Sequence, residues 1–455
     1  MRQGIGRVRE EGSQEESQPR TLSMRGRIVV LAVLYFCCVG LILSASSRGV
    51  VRAYSDIAWA ALFPRSAESA QSAAAVGNTG GPLIITMEVR QLSNESCPVS
   101  ASILHLFTYG SGVLTEVWST SVEGWVWALT LVDVTDDAKP EIVVATNPFY
   151  YCDGRVLGSN SLLIYENVSG GYRLAFKRIG ETGVARARMM DYYSEGREFL
   201  LTVFDRRLSL VGRTSKGHFV LNKLEYEVET RYGLDAGDVT DDGLEDIVYG
   251  CKGGGFMVLE NQGRGRYREQ SIKAKIHPKE IRIGDVDGDG TNEIVTVGGV
   301  WDGRGPCLCV WERLSGAYKS IWTYRGEGIS SVDIGDIDGD GVNEIVAGSE
   351  GGRGETIRGT SIWKRDESLG SFRKVWEDKG NETVWTGFDL SVRVDTIDEG
   401  GSVKAMGVGC DVGQTSMSFF VLEQEEQGYR SQQTPLWVGS TAYCPTLDVW
   451  PLAHS

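Results

Sequence analysis

Residues 285–298 read DVDGDGTNEIVTVG, and residues 336–348 read DIDGDGVNEIVAG. In each, aspartates stand at loop positions 1, 3 and 5, glycine follows at position 6, and a glutamate closes the loop at position 9. Single-residue spacing lets the carboxylates face a common centre, and the glycine permits a sharp turn. The run that follows is β-branched and apolar, so a strand leaves the loop. An EF-hand opens the same way, but its bidentate glutamate stands at position 12, where this chain has Thr296 and Ala347, and it continues into a helix. The unit is an acidic turn between two strands.

The unit recurs along the chain. Residues 238–250 (DVTDDGLEDIVYG) and 133–145 (DVTDDAKPEIVVA) keep the spacing, while 191–203 (DYYSEGREFLLTV) and 395–409 (DTIDEGGSVKAMGVG) are degenerate. Starting positions step by 58, 47, 47, 51 and 59 residues. A period near 50 with short β-rich units predicts a propeller, in which each blade is one four-stranded sheet. Glycine at 58 of 455 residues, with 11 prolines and no G-X-Y period, fits many tight turns and excludes collagen. Before the first acidic loop, residues 83–90, 101–108 and 113–119 read as second, third and fourth strands without a first. At the other end, residues 441–450 read as a first strand with nothing after it. Joining them completes a seventh blade and removes the open sheet edges. The expected fold is an all-β, seven-bladed β-propeller over residues 82–455; six blades with irregular flanks is the alternative count.

Asp285, Asp287, Asp289 and Glu293, and again Asp336, Asp338, Asp340 and Glu344, offer only oxygen donors, with a backbone carbonyl available at position 7 (Thr291, Val342). Such a donor set suits Ca²⁺. Asp238, Thr240, Asp242 and Asp246 keep the pattern with one neutral ligand. Asp133, Thr135, Asp137 and Glu141 do so with Ala138 in place of the turn glycine. The loops at Asp191 and Asp395 have lost too many acids to bind metal. The plainer alternative is that acidic side chains cap the turn backbone with no metal. Either way, the loops pin blades and leave little room for a substrate.

The pattern D-x-D-x-D-G-x-x-E-I-V followed by glycine resembles the FG-GAP/VCBS-type repeats of integrin alpha-chain-like β-propellers, over roughly residues 82–455. The resemblance implies blades stabilised by Ca²⁺ and an extracellular role in adhesion or recognition.

Ahead of the repeats the chain changes character. Residues 28–47 (IVVLAVLYFCCVGLILSASS) carry no charge and are long enough to cross a bilayer as a helix. Arg25 and Arg27 precede them, which favours a cytoplasmic N-terminus. One reading is an uncleaved signal-anchor with residues 1–27 as a cytoplasmic tail. The other is a signal peptide that starts at Met24 and is cleaved near residues 44–46. Both place the body outside the cytoplasm, tethered or secreted. Residues 48–81, which include SAESAQSAAAVGNTGG, read as a flexible stalk. From residue 81 onward there are 37 basic and 55 acidic residues, a net charge of −18. A body that acidic repels phosphate backbones, which excludes nucleic acid as a partner, and attracts cations.

The repeat region has seven cysteines: Cys97, Cys152, Cys251, Cys307, Cys309, Cys410 and Cys444. None forms a C-x₂-C pair, so zinc is not indicated, whereas an oxidising compartment suits disulfides. In a four-stranded blade the first-to-second loops share one face, and the second-to-third and interblade loops share the other. On that other face fall Cys97 with Cys152, Cys251 with Cys307, and Cys410 with Cys444, three expected bridges that leave Cys309 free. Sequons at Asn94, Asn167 and Asn381 fall in expected connections and read as glycan acceptors. The four histidines, His105, His218, His277 and His454, lie near no other histidine or cysteine pair, and neither G-x-S-x-G nor H-E-x-x-H occurs. No catalytic residue is therefore assigned. Varied connections collect on the second face: 146–160 with Phe149, Tyr150 and Tyr151; 298–306 with Trp301; and 350–358. Aromatic side chains on loops over a rigid scaffold suit recognition of a protein or glycan. The alternative is a polysaccharide- or lipid-active enzyme built on the propeller, which would need acids converging on its central channel.

Overall fold

The computed structural model describes residues 82–450 apart from 92–99, 111, 151–155, 182–183, 229–231, 301–305, 326–328, 350–358, 378–390, 397–402, 411–415, 426–427 and 439–446. The expectations for residues 1–81, including the membrane segment and the stalk, and those for Asn94 and Asn381 lie outside the described residues.

Every regular element among the described residues is a strand, and the strands form seven four-stranded antiparallel sheets and one two-stranded ribbon. The first strands of blades 1 to 6 are Trp125–Val132, Val184–Met190, Leu234–Gly237, Ile276–Gly284, Ile329–Gly335 and Ser391–Thr396. Blade 7 takes its first strand from the C-terminal end, Leu447–Trp450, and the other three from Leu83–Gln91, Ser100–Gly110 and Val113–Val122. Register fixes that closure: Leu83 lies opposite Trp450 and Thr86 opposite Leu447. Each first strand packs beside the first strand of the next blade, and Leu447–Trp450 packs beside Trp125–Val132, so the ring is closed. The count is seven, as the two unmatched ends of the sequence imply.

Strand alternation builds the core between blades. In the second strand Glu141–Asn147, Ile142 and Val144 pack with Leu83, Leu104 and Leu129 toward blade 7. The intervening Val143 and Ala145 pack with Ala187 and Leu200 toward blade 2. A strand buried on both faces reads as an unbroken apolar run, which is why EIVV, EIVT and EIVA stand behind the acidic loops. Fourth strands lie outermost and alternate, as in Phe219–Glu227. At the axis end, Gly335 abuts Val394 of the next blade, where a Cβ would clash. Close approach of the first strands requires glycine there.

Candidate metal centres and the axial charge belt

All five acidic loops starting at Asp133, Asp191, Asp238, Asp285 and Asp336 share one backbone solution. Positions 4 and 6 are left-handed in each: Asp136 and Ala138, Ser194 and Gly196, Asp241 and Gly243, Gly288 and Gly290, Gly339 and Gly341. The carboxylate at position 1 accepts the amide of position 6 at 2.6–3.0 Å in every loop. The acid at position 9 accepts the amide of position 2: Glu141 from Val134, Asp246 from Val239, Glu293 from Val286 and Glu344 from Ile337, at 2.9–3.0 Å. Position 7 is engaged through its amide, which Thr291 gives to Asp289 at 2.8 Å and Val342 to Asp340 at 3.1 Å. These bonds hold the acids in place before any ion is considered.

Position 8, which the metal pattern ignores, ties neighbouring loops together. Asn292 donates to the carbonyl of Asp238 and Asn343 to that of Asp285, at 2.7 Å each. Glu245 instead accepts the amide of Asp191, at 2.7 Å. The repeated Asn-Glu pair in the two complete motifs is the signal for this clamp, but its partner lies one blade away.

Asp285, Asp287 and Asp289 bring one carboxylate oxygen each within 4.8 Å of one another, and Asp336, Asp338 and Glu344 do the same. Beside the first cluster Glu293 is fully buried, and its Oε1 has no hydrogen-bond partner. Burial, with repulsion from Asp287, Asp289 and Asp285, pushes its pKa up to about 8 against the pull of the Val286 amide. Asp287 is also raised, by burial and by Asp289. An orphaned buried oxygen next to three converging aspartates fits a Ca²⁺ ion, whose charge would relieve the repulsion.

The third strand of the blade adds a residue absent from the motif. Ile294 pairs with Trp311 and Ile345 with Trp363, so one residue on, Glu293 stands beside Glu312 and Glu344 beside Lys364. Burial and the charges of Asp287 and Asp289 raise the pKa of Glu312. Lys364 Nζ lies 2.6 Å from Asp338 Oδ2, 2.6 Å from Asp340 Oδ2 and 2.8 Å from Glu344 Oε1.

The two weaker loops are satisfied internally. Asp246 accepts amides on both oxygens, from Val239 at 3.0 Å and Asn261 at 2.7 Å. Thr240 and Thr135 turn their hydroxyls onto Asp238 and Asp133, at 3.4 and 3.5 Å. Asp242 and Asp137 accept the amides of Leu244 and Lys139, at 3.0 and 3.1 Å. Glu141 receives Thr135 Oγ1 on its second oxygen at 3.4 Å. No group of three clustered acid oxygens forms in either loop.

A second set of charges lies on the first strands. Three residues before the loops, blades 2 to 5 carry Arg188, Asp235, Arg282 and Asp333, and the bonds below place Arg393, Asp448 and Thr130 at the matching sites of blades 6, 7 and 1. Arg188 Nε donates to Asp235 at 2.7 Å, Arg282 Nε to Asp333 at 2.7 Å, and Arg393 Nε to Asp448 at 3.0 Å. The other oxygen of each aspartate accepts an amide of the following blade: Ile283 at 3.0 Å, Val394 at 2.9 Å and Leu131 at 2.8 Å. With an odd number of blades the alternation breaks once, at Thr130. Glu280 accepts Arg282 Nη2 and the Val332 amide, both at 2.9 Å, and lies 3.8 Å from Arg393, two blades away. These side chains meet at the propeller axis. Aligning the repeats on their loops exposes the alternation in the sequence, although only the register shows what it binds.

Two expectations need correction. Neither Cys251 nor Cys309 forms a disulfide, so Cys251 does not bridge to Cys307. Cys251 opens a tight turn, exchanging backbone hydrogen bonds with Gly254 and Gly255, and its side chain packs on the apolar seam between blades 2 and 3. Cys309 is buried, and its sulfur accepts the Thr323 hydroxyl at 3.5 Å. Asn167 lies within the strand Asn160–Val168, not in a connection, and its amide donates to the Tyr172 hydroxyl at 3.4 Å. Cys97, Cys152 and Cys444, the side chains of Cys307 and Cys410, and residues 301 and 350–358 lie outside the described residues. Within 146–160 the chain forms a two-residue ribbon, Phe149 opposite Leu157 and Tyr150 opposite Val156.

No family model matches this sequence, and no curated protein matches it. Among solved structures it is similar to a protein from Lactobacillus plantarum, at 9% identity over 80% of this chain and 99% of that chain, with a TM-score of 0.51. A functionally unknown protein from Desulfotomaculum acetoxidans matches at 10% identity, 81% and 99% coverage and a TM-score of 0.49. An Agrocybe aegerita lectin, a protein that recognises non-reducing terminal N-acetylglucosamine, matches at 13% identity, 81% and 85% coverage and a TM-score of 0.37. At such identities the likeness is one of fold, and the fold of residues 82–450 is a seven-bladed β-propeller.

Proposed function

We propose that this chain is an extracytoplasmic recognition module of the FG-GAP type: a Ca²⁺-stabilised propeller, tethered by residues 28–47 or released by cleavage, that binds a protein or glycan. The use made of the acids is the observation that carries this reading. Asp285, Asp287, Asp289 and Glu293 would hold the ion within a strand connection, where it pins a blade. An enzyme acting at the axis needs free carboxylates there, yet Asp235, Asp333, Asp448 and Glu280 are each held by an arginine and a backbone amide. Recognition is left to the face of the second-to-third connections, which includes the ribbon of Phe149 and Tyr150.

The test is binding of the full-length chain to arrays of glycans and of cell-surface ectodomains. Tyr150→Ala/Trp301→Ala should abolish capture of whatever ligand the wild type selects, while Asp136→Lys/Asp241→Lys on the acidic-loop face should leave it intact. The reverse pattern would show that the face is wrongly assigned. Turnover of an arrayed polysaccharide or lipid would favour the enzyme.

A further inference from the structure

Resting on the Ca²⁺ reading above, we infer that the two complete acidic loops are not equivalent: Glu312 completes the Asp285 loop as a fifth carboxylate, whereas the Lys364 ammonium fills the cation position of the Asp336 loop and keeps Ca²⁺ out.

The loops match in everything the motif specifies. Both have two left-handed residues, a position-1 carboxylate on the position-6 amide and a position-9 glutamate on the position-2 amide. They differ in what the third strand brings to them. Lys364 is part of the strand Thr360–Asp366, next to Trp363, whose indole is fastened to Ser361 at 3.0 Å. Its ammonium touches three carboxylates at 2.6–2.8 Å, one of them the fully buried Glu344. A divalent ion entering there would have to displace the ammonium and leave it beside two further positive charges.

At the Asp285 loop the same position adds negative charge. Asp285, Asp287, Asp289, Glu293 and Glu312 make five carboxylates with no ammonium among them, and Glu293 Oε1 keeps no partner. Arg365 attracts Asp287 and Glu312, but its guanidinium lies over the Phe372 ring, 5.5 Å from the centroid. The equivalent third-strand glutamates of blades 1 and 3 are already occupied. Glu166 pairs with Arg213 at 2.5 Å and with Arg173 at 3.3 Å, and Glu260 pairs with Arg268 and with Arg313. Glu312 makes no ion pair among the described residues.

Equilibrium dialysis of the full-length chain against radioactive Ca²⁺, with circular dichroism to check folding, counts ions per chain. Asp287→Asn and Glu312→Lys should each lower the count by one, and Asp338→Asn should leave it unchanged. Lys364→Gln should raise the count by one, whereas Lys364→Arg, which keeps the charge, should hold the wild-type value. Equal losses in Asp287→Asn and Asp338→Asn, or no gain in a folded Lys364→Gln, would overturn the inference while leaving the Ca²⁺ reading intact. A wild-type chain that binds no Ca²⁺ would overturn both.

Discussion

Ala138 occupies the left-handed turn position that glycine fills in four of the five loops, with φ of 61°. A Cβ in that region costs roughly 1–2 kcal/mol, partly offset because glycine loses more freedom on folding. Ala138→Gly should therefore stabilise the protein by up to about 1 kcal/mol, and Gly243→Ala, at φ of 82° in open space, should destabilise it by a similar amount. Urea unfolding midpoints measure both, and a destabilising Ala138→Gly would show that the strain argument fails. The irregularity at Ala138 is visible in the sequence, because the other loops supply the template. Lys364 is not. It stands 20 residues past Glu344, and Glu312 19 past Glu293, across connections of unequal length, so only strand register brings either to its loop. The Cys251–Cys307 pairing failed for the same reason: sharing a face of the fold does not specify a distance.

A blade works as an element because its loop, its second strand and its third strand act on the same carboxylates. Glu293 and Glu141 have folded pKa values near 8 and 7, raised first by burial, and Asp246 near 6. A raised acid favours the folded state below its unfolded pKa, near 4, and that contribution is lost as pH rises through the folded value. In chelator, stability from these groups should thus fall between about pH 4.5 and 8, with Glu293 acting over the widest span. Ca²⁺ held as proposed above would bind the ionised form, so its stabilising effect should grow over the same window. Melting curves of wild type and Glu293→Gln in EGTA across pH 5–8 check this: the substitution should flatten the decline. A decline equally steep in both would mean that Glu293 is not the group responsible. The acids themselves were legible in the sequence through their spacing. Their burial was not, since it depends on the third strand that closes over them.

Residues 82–450 form a ring, and its stability depends on closing it. Two observations made closure legible in advance: strands without a first at one end, and a lone first strand at the other. The axial belt that accompanies closure was not foreseen, because Arg188, Asp235, Arg282, Asp333, Arg393 and Asp448 are spread over some 260 residues and their pairing depends on seven strands meeting at one axis. Asp448 joins the C-terminal strand to blade 1 through the Leu131 amide and to blade 6 through Arg393. On this ring a single ion at the Asp285 loop would sit between blades already clamped by Asn292 and Asn343, so binding should be felt by the fold as a whole. A ligand at a hundredfold excess over its Kd contributes about 2.7 kcal/mol. The most direct test is thermal unfolding of the full-length chain with Ca²⁺ and with EGTA, in wild type, Asp287→Asn and Asp338→Asn. The account predicts a Tm several degrees higher in Ca²⁺ for wild type and Asp338→Asn, with most of that difference gone in Asp287→Asn. Superimposable wild-type curves with and without chelator would contradict it.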